Sequence, residues 1–293
     1  MIRLDSSDWR LWIDPALGGQ WLAAEVRRGE DWCAVMPDCR PPDAPLGAAN
    51  FHMLPYSNRI RDGHFTFAGE HVQLEHADRH AIHGALRKLP WEVLETTPST
   101  LRCRIDSRDH TDVNWPWPIV AEVAVTLEGR TLSSTLTLTN VSGRDMPAGL
   151  GWHPYFVREI DGASPELTLP VESVYPDADG DCLPDGAPVP LSAELDFREP
   201  RTLHPVPFID RCLGGLAGTV RVAWPDAGIA LALRASEVCD HLVLYNPDAP
   251  WFAVEPVTNA NDAFNLAESG IEAGRTVLGD EESLTAEMTL TVL

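Results

Sequence analysis

Lysine is nearly missing from this 293-residue chain: Lys88 stands alone against 21 arginines. Schiff-base catalysis and P-loop phosphate binding both need a placed lysine, and no GxxxxGK[ST] surrounds Lys88, so both classes fall away. GxGxxG and GxSxG are also absent, which leaves dinucleotide enzymes and elbow-type hydrolases without support. There is no HExxH and no CxxC. The six cysteines (Cys33, Cys39, Cys103, Cys182, Cys212, Cys239) lie far apart and read as reduced, structural thiols, as suits a cytoplasmic protein. Nowhere do ~18 apolar residues run together, so no membrane-spanning helix is expected. The segment Met1 to Pro15 lacks a basic flank followed by an apolar run, so no secretory leader is expected.

Positive charge is scarce too, and the net charge is -22. Such a surface repels nucleic acid and anionic membrane and slows capture of phosphorylated ligands; a neutral small molecule is indifferent to it. Hydrophobic residues at 44% and charged residues at 23% describe a folded globular chain. No composition break or repeat divides it, so residues 1–293 are expected to form one domain.

What the chain has in plenty is period-two alternation. Glu92 to Leu94, Leu101 to Ile105, Ile119 to Leu127, Thr131 to Thr139, Glu166 to Val171, Thr219 to Ala223, Ile229 to Arg234, Leu242 to Tyr245, Phe252 to Val254 and Leu284 to Leu293 read as strands. Glu128-Gly129-Arg130 and Ala68-Gly69-Glu70 read as hairpin turns, the latter between Phe65 to Phe67 and Val72 to Leu74. No amphipathic helix exceeds two turns. The pattern predicts an all-β sandwich or barrel. Pro176 to Pro190, rich in Pro, Asp and Gly, reads as a surface loop.

Four places carry candidate chemistry. His153 follows an apolar strand and is flanked by Trp152, Pro154 and Tyr155; taken alone it is more often a structural histidine. Glu255 ends the apolar run Phe252 to Val254 before Pro256; a carboxylate there either points into water or is buried, and a buried one is tolerated mainly where its raised pKa is used. Asn58 and Arg59 lie in a polar loop, where Arg59 could clamp hydroxyls or sit in an ion pair. His83 belongs to a histidine-dense stretch with His71, His76 and His80. No HExxH, no cysteine pair and no acidic ligand pattern accompanies that stretch, so no metal site is expected. Asp177-Ala178-Asp179-Gly180-Asp181 opens like a calcium loop, but glycine is missing at the sixth position and Pro188 stands at the twelfth, so it reads as a turn.

In order along the chain, several short motifs together resemble the aldose 1-epimerase (galactose mutarotase-like) family. They are Asn58-Arg59-Ile60 with Gly63 and Phe65; Ile82-His83-Gly84 with Trp91; His153-Pro154-Tyr155-Phe156; Tyr175-Pro176 with Pro184 and Gly186; Leu195-Asp196-Phe197-Arg198; and Ile209-Asp210 followed by Val254-Glu255-Pro256 with Thr258-Asn259. The resemblance implies one large twisted antiparallel β-sandwich with a cleft for a free sugar, and no cofactor or metal. It implies Glu255 as general base, His153 as general acid and His83 as a second active-site histidine. Arg59 and Asn58 would contact the sugar, and Asp210 would bind hydroxyls. The sequence departs from the family at Gly84-Ala85, Val157-Arg158 and Arg211-Cys212. A negative cleft is expected to keep His153 protonated. A sugar 6-phosphate epimerase, for which Arg61, Arg79 and Arg87 supply cations, and a non-catalytic sugar-binding protein are the alternatives.

Overall fold

A computed structural model describes residues 1–75 and 80–293. His76 and Arg79, named above, lie outside the described residues. The chain is nearly all β, and every strand pairing is antiparallel. A nine-stranded sheet is built around Thr100–Asp106, Ile119–Glu128, Thr131–Asn140, Ser283–Val292 and Ile229–Ala235. In Ile119–Glu128 and Thr131–Asn140 buried residues alternate with half-exposed or exposed ones, as the period-two pattern predicts. An eight-stranded sheet runs through Ile209–Gly214, His241–Asn246, Trp251–Val257, Gly151–Trp152 and His52–Met53, with Tyr155–Val157 also pairing Trp251–Val257. One hydrophobic core contains side chains of both sheets, among them Leu136, Leu290, Leu244, Phe252 and Val254. Trp152 of one sheet donates its indole N–H to Ser134 Oγ of the other at 3.0 Å. The result is the sandwich that the alternation predicts.

Both expected hairpin turns form, each with a two-residue loop. Glu128 pairs directly with Thr131 around Gly129-Arg130. Phe67 pairs with Glu70 around Ala68-Gly69, both at positive φ (51° and 81°), the geometry whose twist matches the flanking strands. The only α-helix among the described residues is Ala263–Glu268. Residues 1–34, where the pattern above reads no strand, form a four-stranded sheet of Ile2–Asp5, Trp9–Asp14, Gln20–Arg28 and Asp31–Ala34. Its signal lies in Trp9, Leu11 and Ile13, all buried on alternate positions, but Trp12 is buried as well and breaks the contrast. The Pro176 to Pro190 loop is not wholly superficial, since Cys182 and Leu183 are buried. Asp177 organises it by accepting backbone N–H bonds from Gly180, Asp181 and Cys182, so this acidic run is a turn.

Candidate active site

Alternation along Trp251–Val257 sends Phe252 and Val254 into the main core and Ala253 and Glu255 to the opposite face. On that face the pairing aligns Asp210, Tyr245, Ala253 and Tyr155 in one row across four strands. Two residues along, Cys212, Val243 and Glu255 form the next row. Two small apolar clusters cover the face, one holding Cys182, Cys212 and Val243 and the other Phe51, Met53 and Val257. Glu255 lies where neither closes over it.

Pro256 does not end the strand. On one side it stands opposite Leu242. On the other side the neighbour is interrupted: Tyr155–Val157 pairs with residues 251–253 and Gly151 with Val257, so no ladder donor is needed from the proline. At that interruption His153 leaves the ladder, its N–H going to Phe51 O, and its Nε2 comes within 3.1 Å of Glu255 Oε1. The chains approach closely here. A Cβ on Gly151 would lie 2.6 Å from Val257 Cγ1, so only glycine fits.

Asn58 and His83 come from the paired segments around Arg59–Arg61 and His80–Ile82, and the His83 N–H donates to Asn58 O at 2.7 Å. Both are non-glycine residues at positive φ (47° and 65°), a conformation costing about 1–3 kcal/mol each and typical of functional positions. Asn58 Nδ2 donates to Glu255 Oε2 at 3.1 Å, so both carboxyl oxygens are engaged. Arg59 reaches Asp210 Oδ2 at 3.3 Å. Together Asn58, Arg59, His83, His153, Tyr155, Asp210, Tyr245 and Glu255 line a cavity of about 160 Å³. That is roughly five waters' worth of space and below the ~300 Å³ of drug-sized sites, which suits one small ring.

Burial dominates the electrostatics. It pushes the Glu255 carboxyl well above the usual carboxylate range; Asn58's hydrogen bond and Arg59 oppose this, and Asp210 adds to it. Burial likewise takes His153 down to about 3, with Arg87 and Arg59 adding to the effect. His83 falls well below its ordinary value by burial first, then by His153, Arg87 and Arg59. The expectation that a negative cleft keeps His153 protonated is therefore overturned: His153 is buried, with arginines close by, whatever the net charge of -22. Both directions, Glu255 up and His153 down, favour the uncharged pair over carboxylate and imidazolium.

All six candidates (Asn58, Arg59, His83, His153, Asp210, Glu255) meet in this cavity. Tyr155 and Tyr245 join them unforeseen. An aromatic residue in a strand reads as core, and only the cross-strand row reveals their side. Asn259, Asn261 and Asn265 stay outside, bonding Ala260 O, Cys182 and His64 O. Arg158 is buried away from the cavity and pins the 246–251 turn by bonding Asn246, Pro247, Ala249 and Trp251. Arg61 is tied to Asp262 and Pro184 O. The described histidines of the dense stretch disperse: His71 stacks on His64, His80 faces Asp62 and Asp181, and of these three only His83 enters the cavity. Among the described residues no three His, Cys, Asp or Glu side chains are grouped to hold a metal ion.

Fold and site thus define a β-sandwich protein with a buried carboxyl–imidazole pair at the floor of a sugar-sized cavity. The family model for aldose 1-epimerase matches residues 14–291, and the chain belongs to that family. It is 26% identical over 260 residues to the Escherichia coli (strain K12) protein YphB, covering 84% of each chain. Among solved structures it is similar to a galactose mutarotase-like protein from Clostridium acetobutylicum (TM-score 0.86, 16% identity, 99% of this chain and 94% of that one). It is also similar to the GalM/aldose epimerase homologue from C. elegans (TM-score 0.83, 17% identity, 100% and 98%). At these identities the structural likeness speaks for the fold. Among the described residues no helix is long and apolar enough to cross a membrane.

Proposed function

We propose that this protein is an aldose 1-epimerase, interconverting the α and β anomers of an aldose whose C1 hydroxyl is free. The observation that carries the reading is the 3.1 Å contact between Glu255 and His153 in a cavity sized for one ring.

Ring opening requires a proton to leave the C1 hydroxyl and another to reach the ring oxygen. A proton first passes within the pair from the Glu255 carboxyl to His153 Nε2, and Glu255, now a carboxylate, takes the proton of the C1 hydroxyl. The C1–O5 bond breaks with its electrons going to the ring oxygen, which takes a proton from the His153 imidazolium. The product is an open-chain aldehyde beside a protonated Glu255 and a neutral His153, the arrangement that burial favours. Rotation about C1–C2 presents the other carbonyl face, and the reverse transfers close the opposite anomer. Protons and charge balance within the pair. Each positioned transfer is worth about 10²–10⁴-fold.

His83, kept neutral by burial, suits a hydrogen bond to the ring or C1 oxygen. Asn58 steadies the Glu255 carboxyl group, while Arg59 and Asp210, fixed by their own contact, orient hydroxyls. Polarimetry on freshly dissolved α-glucose, α-galactose and pentoses is the test. At least one sugar should mutarotate faster in proportion to protein added. Binding without acceleration for every aldose would favour a sensor and reject the proposal.

A further inference from the structure

The strand that carries Asp210 has an unfinished edge. Ser173 and Val174 pair with Gly214 and Leu213, and Tyr175 N–H still donates to Cys212 O at 2.9 Å. Continued in that register, the next donor, Asp177 N–H, would meet Asp210 O. The pairing strand stops before it, at Val174. The donor to Asp210 O is instead a side chain: Arg211 NH1 reaches it at 2.8 Å and, from the same nitrogen, reaches Asp177 Oδ2 at 3.1 Å. Arg211 thus takes the place of the missing ladder bond, where an edge carbonyl would otherwise be left to water.

Asp177 is a firm anchor. Its side chain is only 4% exposed, and its carboxylate already gathers the turn to Cys182 by three backbone N–H bonds. Cys182 is buried at a φ of 59°, and its carbonyl accepts Asn261 Nδ2 at 2.6 Å. Its side chain shares a small apolar cluster with Cys212, which stands two residues from Asp210 on the cavity face. Burial first, then the charge of the Asp210 carboxylate beside it, holds the Cys182 thiol well above its ordinary pKa. The strand therefore meets the turn through Arg211 and Cys212, the pair at which the sequence departs from the family.

Asp210 is consequently fixed at both ends. Its carbonyl is held by Arg211, and its carboxylate meets Arg59 at 3.3 Å with the Cys182 thiol alongside. A carboxylate can only accept, and a hydrogen bond weakens steeply once bent, so the aim of Asp210 selects which sugar hydroxyl can donate to it. We infer that Arg211 is a positioning residue: by supplying the missing ladder donor and clasping Asp177, it fixes where Asp210 points in the cavity and so which hydroxyl configuration of the aldose is accepted. This rests on the reading of the cavity as a sugar site in which Asp210 orients a hydroxyl.

Mutarotation kinetics on the best aldose and its C2 and C4 epimers test the clasp. Arg211→Met removes both bonds and keeps the aliphatic stem. It should raise KM about three- to tenfold, the range of one ordinary hydrogen bond, narrow the preference among epimers, and leave kcat within about twofold. Arg211→Lys should restore most of the loss, because one nitrogen makes both bonds and an ammonium offers three donors. In an Asp210→Asn background, Arg211→Met should add less than about twofold to KM. An undiminished effect there would make Arg211 a merely structural residue and overturn the inference. If Arg211→Met fails to fold, Cys182→Ser and Cys182→Ala decide: serine keeps a donor beside Asp210 and alanine does not, so KM should rise further for alanine, and equal KM values overturn the inference. Calorimetric titration of the same aldoses into native and Arg211→Met protein separates this claim from the acid–base reading. Binding that weakens in Arg211→Met, with no aldose turned over by native protein, keeps the positioning role and rejects the acid–base pair. Turnover with KM and epimer preference unchanged in Arg211→Met does the reverse, and no aldose bound or turned over rejects both.

Discussion

At the scale of single residues, Glu255 is costly where it stands. Its carboxyl is 1% exposed and burial raises its pKa well above the ordinary value, so it disfavours folding wherever the unfolded chain would ionise it. Between the unfolded value near 4.5 and the higher folded value, the native state binds the extra proton, and stability falls as pH rises. Glu255→Gln removes that dependence. The variant should gain on the native protein by up to about 1.4 kcal/mol per pH unit across the window, as measured by urea denaturation at a series of pH values. His52 has the opposite sign. Burial takes it to about 4 beside Gly19 O, so below 6.5 the unfolded chain binds its proton first and stability falls as pH drops toward 4. That Asn58, Arg59, His83, His153, Asp210 and Glu255 belong together was legible because they stood in an ordered series of motifs. The protonation of His153 was not, because it depends on burial and on Arg59 and Arg87, which sequence spacing does not place.

At the scale of elements, close approach holds the groups that line the cavity in place. Gly84 has φ +74°, and a Cβ there would meet Leu54 O at 2.2 Å and Leu54 N at 2.6 Å. Gly228 has a similar φ of +67° but open space around it. Gly228→Ala should cost about 1–2 kcal/mol, the left-handed penalty alone. Gly84→Ala should cost about 2–5 kcal/mol, because overlap adds to it, and should displace His83. Denaturation midpoints with sugar-binding titrations check both; equal costs would mean that the Leu54 contact is slack. Alternation revealed Ile119–Glu128 and Thr131–Asn140 because one side of each is buried and the other more exposed. It passed over Gln20–Arg28, whose first five residues are all buried and so show no contrast of faces. The strand through Pro256 was cut short in the pattern because a proline normally ends a ladder. Here the neighbouring strand breaks at the same point, and the break is where His153 enters.

At the scale of the whole molecule, one core cluster runs from Leu4 to Leu290 and includes both large sheets and the N-terminal sheet. Chain packed through a shared core is expected to unfold as a unit. Calorimetry should therefore give one transition with equal calorimetric and van 't Hoff enthalpies; two separable transitions would divide residues 1–293 into more than one domain. The opposite face of the sheet that carries Phe252 and Val254 into that core bears the cavity where Glu255 meets His153. The decisive measurement is the mutarotation rate of the best aldose with native protein, Glu255→Gln, His153→Ala and the double variant, each confirmed folded. Each single variant should fall about 10²–10⁴-fold, and the double should fall little further, because the two groups act as a unit. Native rates in both single variants would contradict the acid–base pair outright.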